Sequence, residues 1–456
     1  MKGSIKNIIP DKKKTVHFIG IGGIGMCGLA EYLLVKGYRV SGSDITRTAI
    51  TDRLVKKGAR IKFGHSASNV GRNTGFVVYT SAVKQDNPEL KTAVERNIKT
   101  VKRAALLGEL VNGKILIAVS GTHGKTSTTS MIAKILIDAK LDPTVFVGGN
   151  LDFLGGAAYR IGKSKYAVVE ADEYDRSFLT LKPKVAVINN IELDHTDIYR
   201  DEEDIIEAFR KFADNTGEGY FVVNWSDRNI RKVMKGRICR RADFGRGSLN
   251  RITGIRTKPD GISFRLNDIH IKLGVIGGHN IYNATAAFIA GSIIGIKASS
   301  ILKSLESYPG VKRRLELKYR GDFSVYDDYA HHPTEVASSL GSFGRINKGR
   351  LIVVYQPHTF TRTKEFYREF AKSLETADIV YLMPVYPARE IPIKGVTSKL
   401  IYDRIRKSKA EAVLLKKPED ITDLLKKQVK KGDTVVFQGA GDVTNYCAKF
   451  VKEAGK

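Results

Sequence analysis

Apolar and polar positions alternate with two periods along this chain, and the two periods recur in three blocks. In the first, residues 15–19 form an apolar run that predicts a strand. The turn Gly20-Ile21-Gly22-Gly23-Ile24-Gly25 follows, and Leu29, Leu33 and Leu34 then recur at helical spacing between about Met26 and Lys36. Residues 38–41, 76–79 and 100–101 predict further short strands. The second block begins near Asn112, with strands over 114–119, 166–170, 185–189 and 220–223, helices over 201–213, 280–294 and 299–307, and a hairpin pairing 262–266 with 269–273. The third follows Tyr308-Pro309-Gly310, with strands over 351–356, 379–383, 412–415 and 434–438 and helices over 364–375 and 421–430. Strands alternating with helices predict an α/β protein with mostly parallel sheets. The block boundaries divide the chain into 1–108, 109–315 and 316–456.

Composition narrows the class. The chain has 456 residues, 42% of them hydrophobic, ample for three cores. No apolar run approaches the roughly 18 residues of a membrane span. Residues 1–14 are basic and polar without the apolar stretch of a secretion signal, so the expected location is cytoplasmic. Cys27, Cys239 and Cys447 lie far apart without metal-ligand spacing and are expected to be isolated, mostly buried reduced thiols. The net charge is +28, from 76 basic and 48 acidic residues. It is dispersed over pairs and triplets such as Lys12–Lys14, Arg240-Arg241 and Lys430-Lys431, with no basic tail or aromatic-studded basic stripe. That dispersal reads as solvated surface, and no nucleic-acid partner is expected. No feature specifies an oligomeric state.

The chemistry concentrates where strands end. Residues 114–119 run into Gly121-Thr122-His123-Gly124-Lys125-Thr126-Ser127, and a helix-like stretch follows. Glycines let backbone N–H groups converge on phosphate oxygens, Lys125 can reach the outer phosphates, and the Thr126 hydroxyl suits Mg²⁺. This loop implies a nucleoside triphosphate. Gly20, Gly22 and Gly25 form a second glycine pattern in strand–helix context, with Asp44 ending the next strand, as a diphosphate and a ribose hydroxyl require. Taken alone, that turn also suits a nicotinamide-dependent oxidoreductase, which would leave Gly121–Thr126 unexplained. Glu170, Asp172, Glu173 and Asp175 cluster after one strand, and Asn189-Asn190-Ile191-Glu192-Leu193-Asp194-His195 follows the next. A carboxylate such as Glu170 beside phosphate oxygens is a natural Mg²⁺ ligand. In the third block, Asp327-Asp328-Tyr329-Ala330-His331-His332 lacks the partners of a zinc site and suits ribose or phosphate contact. Arg362, in Gln356-Pro357-His358-Thr359-Phe360-Thr361-Arg362, can clamp a carboxylate through two hydrogen bonds.

These segments, with His279–Asn283, Gly310–Arg314 and Gly439–Asp442, together resemble the Mur ligase family in order and over nearly the whole chain. The resemblance implies a Rossmann-like N-terminal domain for a UDP substrate, a central ATPase domain of phosphate-loop type, and a Rossmann-like C-terminal domain. It implies that ATP phosphorylates the lactyl carboxylate of UDP-N-acetylmuramate, and that the amine of L-alanine attacks the acyl phosphate. It further implies that Lys125 holds the γ-phosphate and that Thr126, Glu170 and His195 hold Mg²⁺. Gly121–Ser127, Asn283, Arg314, Asp328 and His331 would surround ATP, the last two brought in from the third domain. Gly20, Gly22, Gly23, Gly25, Ser43 and Asp44 would face the UDP end, Asn190 would bind substrate, and Tyr329, His358 and Arg362 would lie near the amino acid. Some family members carry Arg where this chain has Thr359, so alanine-carboxylate recognition would rest more on Arg362. Attachment of a tripeptide is the nearest alternative, but residues 356–362 look more like the alanine-adding members.

Overall fold

A computed structural model describes residues 11–454 except Asp197, Arg345 and Arg389. The basic stretch expected over 1–14 therefore lies, as far as residue 10, outside the described residues. The chain forms two compact units, one comprising residues up to Ile252 with Asn283–Leu305, the other Thr253–Tyr282 with Glu306 onward.

The first unit holds two sheets. Five parallel strands, β1 (Thr15–Ile19), β2 (Arg39–Asp44), β3 (Arg60–Phe63), β4 (Thr74–Tyr79) and β5 (Lys99–Lys102), lie in the order β3-β2-β1-β4-β5. They alternate with α1 (Ile24–Val35), α2 (Ala49–Lys56) and α3 (Pro88–Glu95), and α4 (Arg103–Val111) follows. The second sheet comprises β6 (Ile115–Ser120), β7 (Thr144–Leu151), β8 (Ala157–Arg160), β9 (Tyr166–Glu170), β10 (Val185–Ile188), β11 (Tyr220–Asn224) and β12 (Arg240–Phe244). Its order is β12-β11-β10-β6-β9-β7-β8, and only the edge strand β8 is antiparallel to its neighbour. Helix α5 (Lys125–Asp138) leaves β6 at the centre. Val16, Phe18, Ile117, Val119 and Val187 are fully buried, as strands covered on both faces require.

The first two blocks share one core. A continuous apolar cluster runs from Val16, Phe18 and Leu33 through Leu107, Phe146 and Tyr159 to Leu116, Val169 and Phe209. The close approach explains Gly28: a Cβ there would lie 2.8 Å from the Tyr159 ring. β7 and β8 were not expected from the pattern, because Gly148 and Gly149 interrupt the first and the second has only four residues.

The second unit holds β13 (Ile252–Lys258) from its second residue on, with β14 (Gly261–Leu266) and β15 (Ile269–Leu273), so the expected hairpin gains a third strand. It also holds β16 (Glu316–Arg320), β17 (Ser324–Asp328), β18 (Leu351–Tyr355), β19 (Ile379–Leu382), β20 (Glu411–Leu414) and β21 (Thr434–Gln438), ordered β16-β17-β21-β18-β19-β20. All but β16 run parallel. Val353, Tyr355 and Val436 pack on one face, Ile352, Val354 and Phe437 on the other.

A buried polar knot ties the first sheet together. The Glu89 carboxylate, at the start of α3 and fully buried, meets His17 Nε2 at 2.7 Å and His65 Nδ1 at 2.9 Å. Ser43 Oγ donates to it at 2.7 Å and Asn69 Nδ2 at 3.1 Å. Burial opposes its charge, but these hydrogen bonds outweigh burial and carry the carboxyl from 4.5 down to about 2. With the folded pKa below the unfolded one, this stabilisation is complete above about 4.5 and is lost as pH falls toward 2. Its size is of the order of 3 kcal/mol, from about 1.4 kcal/mol per pKa unit. Glu89→Gln is therefore expected to lower the thermal midpoint at pH 7, with the gap to wild type narrowing between pH 4.5 and 2. A gap that ignores pH over that range contradicts the ionised knot.

Candidate active site

In the first unit, each sheet delivers a glycine turn at the carboxyl end of a strand, where ligands of open α/β sheets gather. At the first, Gly20 takes φ +79°. The Gly20 and Ile21 N–H groups donate to Ser43 O, both at 2.9 Å. Asp44 Oδ2 accepts from the Gly22 N–H at 2.7 Å. The acid expected to face a ribose hydroxyl is thus turned onto the glycine turn, and the Ser43 hydroxyl is turned inward onto Glu89. Helix α1 begins behind this turn with no side-chain cap and no acidic residue in its first turn.

The second turn is the candidate phosphate loop. Gly121 (φ +131°) and Gly124 (φ +77°) take backbone conformations that suit glycine. A Cβ on Gly124 would lie 2.5 Å from Asn283 Oδ1. Asn190 Oδ1 accepts from the His123 N–H at 2.8 Å, and its Nδ2 donates to His123 O at 3.1 Å. Asn190, expected to touch substrate, therefore clamps the loop with both ends of its amide. Thr122 Oγ1 donates to Glu192 O at 3.0 Å, and Thr128 Oγ1 donates to Asn283 Oδ1 at 3.1 Å. Gly124 starts α5 without a side-chain cap or a first-turn acid, which leaves N–H groups for an anion.

Lys125 folds back into this loop. Its Nζ donates to Gly121 O at 2.8 Å and Thr122 O at 3.1 Å, and it pairs with Glu173 at 2.8 and 2.9 Å. Its side chain is 13% exposed and that of Glu173 0%. Burial works against the ammonium charge, but Glu173, Asp172 and Glu170 outweigh it and raise the Lys125 pKa, so the group stays charged. Burial raises the Glu173 carboxyl, and Lys125 opposes that rise. Thr126 Oγ1 donates to Glu170 Oε1 at 2.9 Å, and the Gly148 N–H donates to Glu170 Oε2 at 2.6 Å. His195 stands 3.8 Å from Glu173, and its ring meets Tyr174 edge-on. Asp172, Glu173 and His195 each offer a ligand atom within 4.8 Å of the others, a donor set with two carboxylates that fits a hard divalent cation. So Thr126 is grouped with Glu170, and His195 with Glu173 and Asp172. Glu173, the partner of Lys125, was not singled out from the run of four acids.

In the second unit, β17, β21 and β18 are neighbours, and Asp328, Gly439 and Gln356 stand at their carboxyl ends. Asp328 is buried, accepting from the Leu315 N–H at 3.1 Å and from Gln438 Nε2 at 3.0 Å. The Arg314 guanidinium lies 5.1 Å from the Tyr329 ring centre and 3.5 Å from Glu335. His331 Nδ1 lies 3.0 Å from Tyr329 O, and its ring meets His358 edge-on at 5.7 Å. Burial, reinforced by nearby Arg362, lowers both histidines to about 4, so both rings are neutral at pH 7. Arg362 donates to His358 O at 3.3 Å. Tyr329, His331, His358 and Arg362 are thus gathered in one place. Thr359 Oγ1 and the Thr361 N–H donate to Glu390 at 2.5 and 2.9 Å, a brace from a distant loop that no local pattern announced.

Family models match three successive segments. The Mur ligase family catalytic domain covers 15–115, the Mur ligase middle domain 119–291 and the Mur ligase glutamate ligase domain 313–441. The chain belongs to the Mur ligase family. Among relatives, the UDP-N-acetylmuramate–L-alanine ligase of Clostridium tetani is 43% identical over 96% of this chain and 98% of its own. The enzyme of that name from Aquifex aeolicus is 42% identical over 98% and 99%. The crystal structure of the UDP-N-acetylmuramate-alanine ligase of Thermotoga maritima superimposes with a TM-score of 0.81 at 29% identity, covering 97% of this chain and 99% of that one. A murein peptide ligase from Psychrobacter arcticus shares the fold, with a TM-score of 0.69 at 24% identity. Mur ligases are ATP-dependent ligases, and the glycine turn before Lys125 lies within the segment that matches the Mur ligase middle domain. No helix among the described residues is long and apolar enough to cross a membrane.

The buried pair is testable without substrate. Lys125→Met or Glu173→Gln alone leaves one buried group unpaired and is expected to destabilise by roughly 3–5 kcal/mol. The double variant should cost clearly less than the sum, read by denaturant titration. Additive losses contradict a direct pair.

Proposed function

We propose that this chain joins L-alanine to the lactyl carboxylate of UDP-N-acetylmuramate at the expense of ATP. The observation that carries the reading is the charged Lys125 held in a glycine loop beside Thr126 and Glu170, in a chain 43% identical to an alanine-adding enzyme over nearly its full length. A carboxylate is a poor electrophile. Transfer of the γ-phosphoryl group to one of its oxygens makes an acyl phosphate, and ADP leaves. The alanine amine then attacks the carbonyl carbon, and inorganic phosphate departs with the carboxylate oxygen it received.

The chain's own part is positioning and charge. The N–H groups opening α5 receive phosphate oxygens, and Lys125 neutralises charge spread over the transferring group. Mg²⁺, when bound, screens the phosphates, and Thr126, Glu170 and His195 would hold it, with Asp172 and Glu173 adjoining. Asn283 supports the loop. Arg314, Asp328 and His331 serve the nucleotide, and Gly20–Gly25 with Ser43 and Asp44 shape the sugar-nucleotide turn. Tyr329, His358 and Arg362 receive the amino acid, with Arg362 on its carboxylate. The domain limits 1–108, 109–315 and 316–456 follow this division of labour.

Phosphate release is expected to require ATP, Mg²⁺, UDP-N-acetylmuramate and L-alanine together. Release with a tripeptide but not alanine contradicts the assignment. Lys125→Ala should cut turnover at least about 100-fold, as loss of a preorganised charge contact does, while UDP-N-acetylmuramate still binds. Arg362→Ala should raise the KM for alanine far more than that for ATP; equal effects on both contradict its placement.

A further inference from the structure

The first unit contains a cavity of about 310 Å³ lined both by Gly23 and Gly25 of the first glycine turn and by Glu170 and Asp172 of the phosphate-loop sheet. Arg103 also lines it. This residue opens α4, and its side chain lies over the first turn of α1. A Cβ on Gly25 would meet Arg103 Cδ, Nη1 and Nε at 3.0–3.3 Å. The absence of a side chain at Gly25 lets the arginine lie close against this turn; a Cβ there would push it by a few tenths of an ångström.

Neighbouring cations are neutralised. Lys102 pairs with Asp175 at 2.7 Å, Arg176 with Asp204 at 2.7 Å, and Arg53 lies 3.5 Å from Glu31. Among the described residues the Arg103 guanidinium has no ion-pair or hydrogen-bond partner, although it is only partly exposed. A guanidinium drawn away from water without a counter-charge is costly, and an anionic ligand removes that cost.

We propose that Arg103 is a substrate-binding residue that grips the diphosphate of the sugar nucleotide beside the Gly20–Gly25 turn; this rests on the function proposed above. Two anionic groups of that substrate have the right chemistry, the diphosphate and the lactyl carboxylate. The contact with Gly25 selects the diphosphate, because the carboxylate has to reach the phosphoryl group near Lys125 and Thr126. The planar fork of Arg103 matches two phosphate oxygens, as a lysine ammonium does not.

The test is calorimetric binding of UDP, UDP-N-acetylmuramate and ATP to the full chain, as wild type, Arg103→Gln and Arg103→Lys. Arg103→Gln should weaken UDP and UDP-N-acetylmuramate by the same factor, about 10- to 100-fold for a charged hydrogen-bonded contact, with ATP affinity unchanged. Arg103→Lys should recover only part of the loss, and it decides the matter by the same comparison if Arg103→Gln does not fold. Unchanged UDP affinity overturns the proposal. So does a loss confined to UDP-N-acetylmuramate, which would move Arg103 to the carboxylate. If wild type binds neither UDP compound, the functional reading itself has failed.

Discussion

The buried pairing of Lys125 with Glu173 is the constraint on which the rest of the site depends. An ammonium 13% exposed, in contact with a fully buried carboxylate, is tolerable only if the geometry is good and the remaining hydrogen bonds are made. The loop meets that requirement with the Gly121 and Thr122 carbonyls, which accept from Nζ because glycine backbones turn them inward. The loop is in turn pinned by Asn190 and by Asn283 through Thr128. A phosphate oxygen that reaches Nζ exchanges for one of these hydrogen bonds, while the charge is already fixed in the loop, which is the basis of electrostatic catalysis.

The same architectural device occurs three times. A glycine turn follows a strand, and a polar side chain from the end of an adjacent strand braces it. Asp44, ending β2, accepts from the Gly22 N–H beyond β1. Asn190, just past β10, clamps His123 beyond β6. Gln356, just past β18, donates to Asp442 at 2.6 Å and accepts from the Val443 N–H at 3.1 Å beyond β21. Parallel sheets make this possible because adjacent strands end on the same edge. The residues that look most like ligand contacts in sequence are therefore partly spent on holding the turns open for ligand.

That explains what was legible in the sequence and what was not. Continuous apolar runs made β1, β9 and β21 readable, and glycine spacing marked the turns at Gly20–Gly25 and Gly121–Gly124. The roles of Asp44, Ser43 and Asn190 were not readable, since sequence spacing places a residue near a turn without saying which way it points. Glu173 was one acid among four, and only burial against Lys125 distinguishes it. His17, His65 and Glu89 are separated by up to 72 positions and meet only through the sheet order β3-β2-β1-β4. The shared core of the first two blocks was hidden for the same reason, because Tyr159 and Phe146 belong to strands too short or too glycine-rich to stand out. The dispersed positive charge leaves Arg103 unremarkable in composition, and only the fold places it over Gly25 and beside the cavity.

The central claim is that the Lys125 loop activates a carboxylate by phosphoryl transfer. The most direct measurement is the fate of oxygen. UDP-N-acetylmuramate carrying ¹⁸O in its lactyl carboxylate should, with ATP and L-alanine, yield inorganic phosphate bearing one ¹⁸O atom per amide formed. Amide formation with unlabelled phosphate would mean that the carboxylate is never phosphorylated, and the account of this site would be wrong.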